Sequence, residues 1–510
     1  MTSAPMIHCG SISRSYEDLY QRAACIATGL SALGVRPGDR VALVLRNDVA
    51  YVEITMGVGL LGAVPVPVNW HWRHDELAYL ITDSGSRVVF AHDDLVPEVE
   101  SVLLSGATLI RVLVTAELVA AYGLHSARGG GGSHPELEGW LAAHAPWSSP
   151  RVGAPMALIY TSGTTGQPKG ILREPITSPE QNHALVQMVF EALGLTPQMR
   201  TLVPGPLYHT APNVHTMLCA AVGMDVTIMP RFDAEGTLRL IEERRINHIL
   251  AVPTMLVRLL RLPEQVRRRY DTSSLQTLVH AAAPCPPEVK RQTINWLGPV
   301  VREFYGGSET GAVTYCDSAE WLAHPGTVGR PVADATLRIY DDAGHPLPPG
   351  QTGVVYATPP TCWPRFTYLG NEAKRSSIER DGYLTVGDIG HLDAEGFLYL
   401  SGRVSDMVIS GGVNIYPAEI ENCLLGMPGV RDVAVFGIPD QEYGEALAAH
   451  VDTDPAAELR QEDIQAYVRV RLASYKTPKL VVFDNDLPRE DSGKLFKRLL
   501  QQRYNAAANS

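Results

Sequence analysis

The sequence predicts an α/β protein of at least two domains. Short β-rich apolar runs alternate with helix-length amphipathic segments, the pattern of parallel strands layered with helices. The chain has 510 residues and 45% hydrophobic content, enough apolar material for a large core and more than one ordinary domain holds. In chain order, residues 40–45 read as a strand, 51–61 as a helix and 88–91 as a second strand. Residues 126–133, with four consecutive glycines, are too glycine-rich to pack and read as a solvated surface loop. Residues 156–159, Met-Ala-Leu-Ile, read as a short buried strand. Ser178-Pro179-Glu180-Gln181 then offers an N-cap, a proline at the first helical position and a glutamine three residues on, opening a helix to about Leu193.

Charge and cysteine usage narrow the class. Lys plus Arg total 43 against 55 Asp plus Glu, a net charge of −12, which disfavours nucleic acid or an anionic membrane as the main partner. A negatively charged substrate must then be met by local positive groups. The seven cysteines (Cys9, Cys25, Cys219, Cys285, Cys316, Cys362, Cys423) are scattered and form no CxxC, which reads as a reducing compartment without structural zinc. No signal peptide is visible at the N-terminus, and no stretch approaches the roughly 18 uninterrupted apolar residues of a membrane span. The expectation is a soluble cytoplasmic protein with no integral membrane segment.

The most informative segment is Tyr160-Thr161-Ser162-Gly163-Thr164-Thr165-Gly166-Gln167-Pro168-Lys169-Gly170. Glycines permit turns whose backbone N–H groups converge on one point, Ser and Thr add neutral donors, and Lys169 adds a mobile positive charge. This is phosphate-handling composition. The spacing is not that of a Walker A loop, because Gly163 and Gly166 lead into Gln-Pro-Lys-Gly. The ordered string resembles the signature loop of the adenylate-forming superfamily, which includes acyl-CoA synthetases, adenylation domains of peptide synthetases and beetle-type luciferases.

Four further segments carry the same resemblance, in the family's order. Tyr305-Gly306-Gly307-Ser308-Glu309 resembles the Tyr-Gly-x-Thr-Glu motif, in which the aromatic ring lies on adenine, the hydroxyl residue approaches the phosphate and the glutamate holds Mg²⁺. Glu309 is a hard oxygen ligand suited to an ion that keeps several waters and bridges phosphates. Thr161, in the signature loop, is the second residue assigned to the metal. Asp388, in Gly387-Asp388-Ile389-Gly390, is assigned to both ribose hydroxyls, for which two acceptor oxygens are suited. Arg403 is the second ribose contact. Ser405 stands at the hinge position where many members carry Asp or Lys, so Ser405 or Asp406 absorbs the rotation of a small C-terminal domain. Gly411 and Gly412 let the following loop approach the reacting carbonyl. Lys494, in Asp491-Ser492-Gly493-Lys494, corresponds to the lysine that enters the active site for adenylation.

Two segments concern the acid and the adenine side. Pro206-Leu207-Tyr208-His209 resembles a Pro-Leu-Phe-His segment at the acyl pocket, where His209 gates the site or contacts the carboxylate. Val252, with Gly306 and Gly307, is assigned to the pocket wall, and Ala281, Ala282, Ala283 and Pro284 to the adenine side. The three alanines replace the more usual Gly-Gly-Ala, and their methyl groups narrow the space beside the adenylate.

The resemblance implies an α/β fold with a large N-terminal domain of layered sheets and helices (residues 1–403) and a small mobile α+β C-terminal domain (404–510). It implies a two-step reaction using ATP, Mg²⁺ and coenzyme A. The carboxylate of an acid attacks the α-phosphorus, giving acyl-AMP and pyrophosphate, and a thiol then displaces AMP. Residues 67–72 and 411–417 look most like bacterial fatty, bile-acid or aryl-acid CoA ligases. An amine in place of coenzyme A, giving an amide, uses the same first step and is the alternative. A non-catalytic nucleotide sensor is the alternative of another class, and the presence of both Glu309 and Lys494 argues against it. A homodimer is compatible with the resemblance.

Overall fold

A computed structural model describes residues 4–124, 134–150, 153, 156–161, 168–411, 413–489 and 495–508. The glycine-rich stretch at 126–133 lies outside the described residues. Two parallel sheets form the body that the alternating pattern predicts. In the larger, of nine strands, the six central strands Val301–Gly307, Thr277–His280, His248–Ala251, Arg200–Val203, Asp225–Ile228 and Met6–Cys9 are parallel. Antiparallel strands close both of its edges. The smaller sheet, of four parallel strands, runs Val64–Pro67, Arg40–Val44, Val88–His92, Thr108–Val112. Their all-apolar runs, such as Val41 to Val44, suit strands covered on both faces.

Between the two sheets pack the helices Tyr16–Ala32 and Val49–Leu60. A Cβ at Gly57 would lie 2.6 Å from Ile26 Cβ and 2.8 Å from the Ala23 carbonyl. Glycine there is what lets the two helices meet at backbone distance.

An antiparallel sheet of three strands (Phe366–Tyr368, Lys169–Arg173, Ile159–Thr161) and one of six spanning residues 336–403 complete this body. A five-stranded sheet follows, from Val408–Ser410 to Leu480–Phe483. With the helices Pro417–Leu425 and Gln461–Arg471 it encloses an apolar cluster of its own, including Ile420, Val435, Ala449 and Val468. Among the described residues, no helix is long and apolar enough to cross a membrane.

The predicted strand at 156–159 is a correction: pairing begins at Ile159, and the strand is Ile159–Thr161. Residues 156–158 run beside the edge strand Val64–Pro67, whose prolines have no N–H to offer a ladder. They are joined to it by one bond, from Leu158 N–H to the Pro65 carbonyl at 2.9 Å.

The helix expected after the signature loop is Pro179–Leu193. Ser178 Oγ accepts the Gln181 N–H at 3.3 Å, and Gly194 ends the helix with φ of +63°. Its buried stripe falls at Leu185, Met188, Val189, Ala192 and Leu193, the spacing of one helical face. Ser178→Ala should cost about 1 kcal/mol of stability and Ser178→Asp should restore it. The urea midpoint of the large body's unfolding transition measures both, and an unchanged midpoint in the alanine variant would remove the cap from the account.

Candidate functional site

A cavity of about 450 Å³ opens between the helix Pro179–Leu193, the helix Thr210–Ala221 and the C-terminal ends of the parallel strands. One end is apolar, walled by Met188, Val189, Ala192, Leu193, Leu250 and Met255. At the other end stand Thr161, Ser308, Glu309 and Arg403. The site lies where ligands bind in open α/β sheets, beyond the carboxyl ends of parallel strands.

The polar end is shaped by a hairpin. Strand Val301–Gly307 pairs antiparallel with Gly311–Cys316 and shifts register between Tyr305 and Gly306. A Cβ at Gly306 would meet the Gly311 carbonyl oxygen at 1.8 Å, and Gly311 itself has φ of +65°. Glycine is therefore required on both strands, and the three intervening residues must turn sharply. Gly307 N–H donates to Thr310 Oγ1 at 3.0 Å, closing the turn, while Ser308 and Glu309 line the cavity.

Neighbouring elements hold this hairpin. The Thr210 and Ser308 hydroxyls are 2.7 Å apart, which joins the turn to the N-terminus of the helix Thr210–Ala221. Tyr368 OH donates to Glu309 Oε1 at 2.9 Å. Arg173, almost wholly buried, donates to the Ser308 carbonyl and lies 5.3 Å from the Trp363 ring. Burial pulls the Arg173 guanidinium down to about 10, with the Glu309 charge opposing. It stays cationic at neutral pH, so the turn rests on a buried charge.

Positive charge gathers around the acidic residue. Lys169 Nζ lies 5.7 Å from the Tyr368 ring centre. Its pKa is lowered first by desolvation and then by Lys374, while Glu309 opposes. Lys374 lines the cavity. These are local cations of the kind an anionic substrate demands of a protein with net charge −12.

Asp388 and Arg403 face each other across the strands Asp388–Leu392 and Leu398–Arg403. Arg403 Nε donates to Asp388 Oδ1 at 2.9 Å, and Tyr305 OH donates to Oδ2 at 2.8 Å. Asp388 is 6% exposed. Burial and the nearby Asp388 raise the Tyr305 phenol far above its usual range, so it remains a donor. Each Asp388 oxygen keeps acceptor capacity beyond these two bonds.

The structure thus brings Thr161, Tyr208, His209, Val252, Ala281, Ala282, Gly306, Gly307, Ser308, Glu309 and Arg403 to one cavity. Ala283, Pro284, Lys169, Tyr305 and Asp388 do not line it, although Tyr305 and Asp388 are tied to Arg403 and Lys169 stands near Tyr368 and Glu309. Ser405 and Asp406 lie in a 3₁₀ turn at Val404–Asp406, with Ser405 Oγ donating to Asp406 Oδ1 at 3.0 Å. Ser162, Gly163, Thr164, Thr165, Gly166, Gly412 and Lys494 lie outside the described residues. Among the residues that sequence reasoning missed are Arg173, Tyr368, Trp363 and Lys374. The one signal was at Arg173, where an apolar run turns charged directly after the signature loop.

The chain is similar to known proteins along its length. Residues 2–363 match the AMP-binding enzyme family, and residues 419–494 match the AMP-binding enzyme C-terminal domain. The chain is 34% identical to a feruloyl-CoA synthase of an Amycolatopsis species, over 98% of this chain and 96% of the relative. It is 31% identical to a long-chain-fatty-acid–CoA ligase of Mycobacterium tuberculosis, over 97% of this chain and 94% of the relative. The ATP-bound crystal structure of MatB from Rhodopseudomonas palustris superposes with a TM-score of 0.84 at 27% identity, covering 99% and 97% of the two chains.

Ala282, at the cavity, has φ of +72°. A left-handed backbone costs an alanine about 1 kcal/mol or more. Ala282→Gly should raise the urea midpoint by an amount equivalent to about 1 kcal/mol. A fall in midpoint would show that the methyl group's packing outweighs the strain.

Proposed function

The chain belongs to the AMP-binding enzyme family, and from that premise we infer that it is an AMP-forming acid–CoA ligase acting on a hydrophobic carboxylic acid. The observation that carries this reading is the cavity, apolar at one end and lined by hydroxyl, carboxylate and guanidinium groups at the other. The acid's hydrocarbon occupies the apolar end and its carboxylate reaches the polar end. ATP and coenzyme A are consumed and are therefore substrates. In the first half-reaction the carboxylate oxygen bonds to the α-phosphorus as the bond to pyrophosphate breaks. In the second, the coenzyme A thiolate attacks the acyl carbon and AMP leaves.

In this reading each named residue has a task. Asp388 accepts from the ribose hydroxyls with the lone pairs that Tyr305 and Arg403 leave open. Tyr305 and residues 281–284 flank adenine. Thr161, Ser162, Gly163, Thr164, Thr165 and Gly166 cradle the β- and γ-phosphates, supported by Lys169. The N-terminus of the helix Thr210–Ala221, with His209 beside it, favours the acid's negative charge at the polar end. Glu309 suits Mg²⁺: Tyr368 engages Oε1, which leaves Oε2 as a hard ligand, with Thr161 as the second. No group of three or more His, Cys, Asp or Glu that could cage a metal exists among the described residues. When bound, the ion neutralises charge on the nucleotide phosphates.

Lys494 supplies the cation that bridges the carboxylate and the α-phosphate as charge builds. It belongs to the small C-terminal domain, residues 404–510, which pivots at Ser405 or Asp406. The separate apolar cluster of that region supports its moving as a unit. All seven cysteines are free, in keeping with a cytoplasmic location.

Acid-dependent exchange of labelled pyrophosphate into ATP, run with aliphatic, aromatic and polycyclic acids, tests the first half-reaction. Mass spectrometry of products formed with coenzyme A and an amine together tests the second: a thioester is expected, and an amide alone would overturn it. Lys494→Ala should slow exchange by about two to three powers of ten while sparing transfer from a supplied acyl-adenylate. Near-normal exchange in that variant would remove Lys494 from the chemistry. Asp388→Asn should raise the ATP KM by about tenfold or more, as for loss of a charged hydrogen-bond acceptor, with little change in the KM for the acid. Equal rises in both would point to general misfolding of the site.

A further inference from the structure

Among the described residues of the cavity is a polar group that the reaction does not use. His215 lines the cavity and is fully buried. It sits on the helix Thr210–Ala221, one turn beyond Ala211 on the same face, and both residues line the cavity. It lies six positions after His209, which sets it roughly 9 Å farther along the helix axis from the polar end.

Its ring is the last member of a hydrogen-bonded chain whose direction can be read from one end. The Leu193 carbonyl can only accept, so His248 Nε2, 2.9 Å away, carries a hydrogen. Burial drives the His248 pKa down to about 3, which leaves the ring neutral and its Nδ1 bare. Thr201 Oγ1 lies 2.8 Å from that Nδ1 and must donate its hydroxyl hydrogen to it. The Thr201 oxygen then faces His215 Nε2 at 3.0 Å with a lone pair, so Nε2 carries a hydrogen. Burial first, and then His248, pushes the His215 pKa well below its usual value, and this ring too is neutral. The remaining nitrogen, Nδ1, is therefore an acceptor, and it has no hydrogen-bond partner among the described residues.

We propose that His215 Nδ1 is a specificity element for the acid, accepting a hydrogen bond from a hydroxyl group at the end of the substrate remote from its carboxylate. The unpaired nitrogen is already buried without a partner among the described residues, a standing penalty that a purely hydrocarbon acid leaves in place. A group that can donate removes that penalty. An ether at the same place cannot, since two acceptors would face each other. The distance along the helix suits an aryl acid with a short linker between ring and carboxylate, bearing its hydroxyl on the far side of the ring.

This inference rests on the ligase reading, and one set of measurements separates the two. The probes are 3-(4-hydroxyphenyl)propanoate, 3-phenylpropanoate and 3-(4-methoxyphenyl)propanoate, each in pyrophosphate exchange and in thioester formation. The wild type should favour the hydroxylated acid by about tenfold or more in kcat/KM over both others. His215→Phe should reduce that preference to within about twofold or reverse it while activity on 3-phenylpropanoate persists. His215→Asn, whose side-chain oxygen can stand near the position of Nδ1, should keep part of it. Thr201→Val frees the His215 tautomer, so Nδ1 can become a donor and relative activity on the methoxy acid should rise. A preference unchanged in both His215→Phe and Thr201→Val, or absent from the wild type, overturns the proposal and leaves the ligase reading intact. No exchange with any acid of the wider panel overturns the ligase reading itself.

Discussion

The polar end of the site depends on a turn that only glycine permits. Because a Cβ at Gly306 would overlap the Gly311 carbonyl, the strand leaving the nine-stranded sheet can reverse within three residues, and those residues include Ser308 and Glu309. Separate parts of the fold then converge on this reversal. The strand of Lys169 brings Arg173 to the Ser308 carbonyl, its antiparallel neighbour brings Tyr368 to Glu309, and the helix Thr210–Ala221 brings Thr210 to the Ser308 hydroxyl. Without the turn those partners would have nothing to hold in common. A side chain constrained from several directions is preorganised, so little of its freedom remains to be lost when substrate binds.

Electrostatics explains why the turn can tolerate a buried arginine. An unpaired charge in a dry interior is expensive, and Arg173 is lowered to about 10 by that desolvation. Its cost is offset by a carbonyl, an aromatic face and the nearby Glu309 carboxylate. Lys169 and Lys374 repel one another in the same region. Two cations held close in a net acidic protein raise the free energy of the site until an anion neutralises them. Polyphosphate is such an anion, and the arrangement makes its entry favourable for reasons independent of any single hydrogen bond.

Much of this was legible in the sequence where local chemistry decides the outcome. The helix Pro179–Leu193 follows from Ser178, Pro179 and an apolar face of helical period, and it forms as read. The strand at 156–159 failed for a non-local reason: Pro65 and Pro67, some ninety residues earlier, remove the donors its first residues would have used. Glu309, Asp388 and Arg403 were found because each belongs to a short ordered string. Tyr368 and Lys374 belong to none: Tyr368 is placed by the register of the strand Phe366–Tyr368 against Lys169–Arg173, which no local pattern encodes, and Lys374 by the short helix Glu372–Ser377 that follows. Asp388 and Tyr305 were each read from their own string, yet the bond that orients the carboxylate, across eighty-three residues of sequence, is written in neither.

The His215 network extends that lesson from position to proton. Thr201 and His248 are paired residues on adjacent parallel strands, and that register sets the hydroxyl beside the imidazole. A one-residue slip would turn Thr201 to the other face of the sheet. The acceptor character of His215 Nδ1 is thus fixed by a strand register and by a carbonyl at the end of the helix Pro179–Leu193. None of these partners needs to touch the acid. The turn at Gly306 and Gly311 presents groups suited to any carboxylate, whereas the buried chain from Leu193 to His215 distinguishes acids by what they carry at the other end. The two functions occupy opposite ends of one cavity, so the choice of acid can change through residues such as His215 without disturbing Ser308, Glu309 or Asp388.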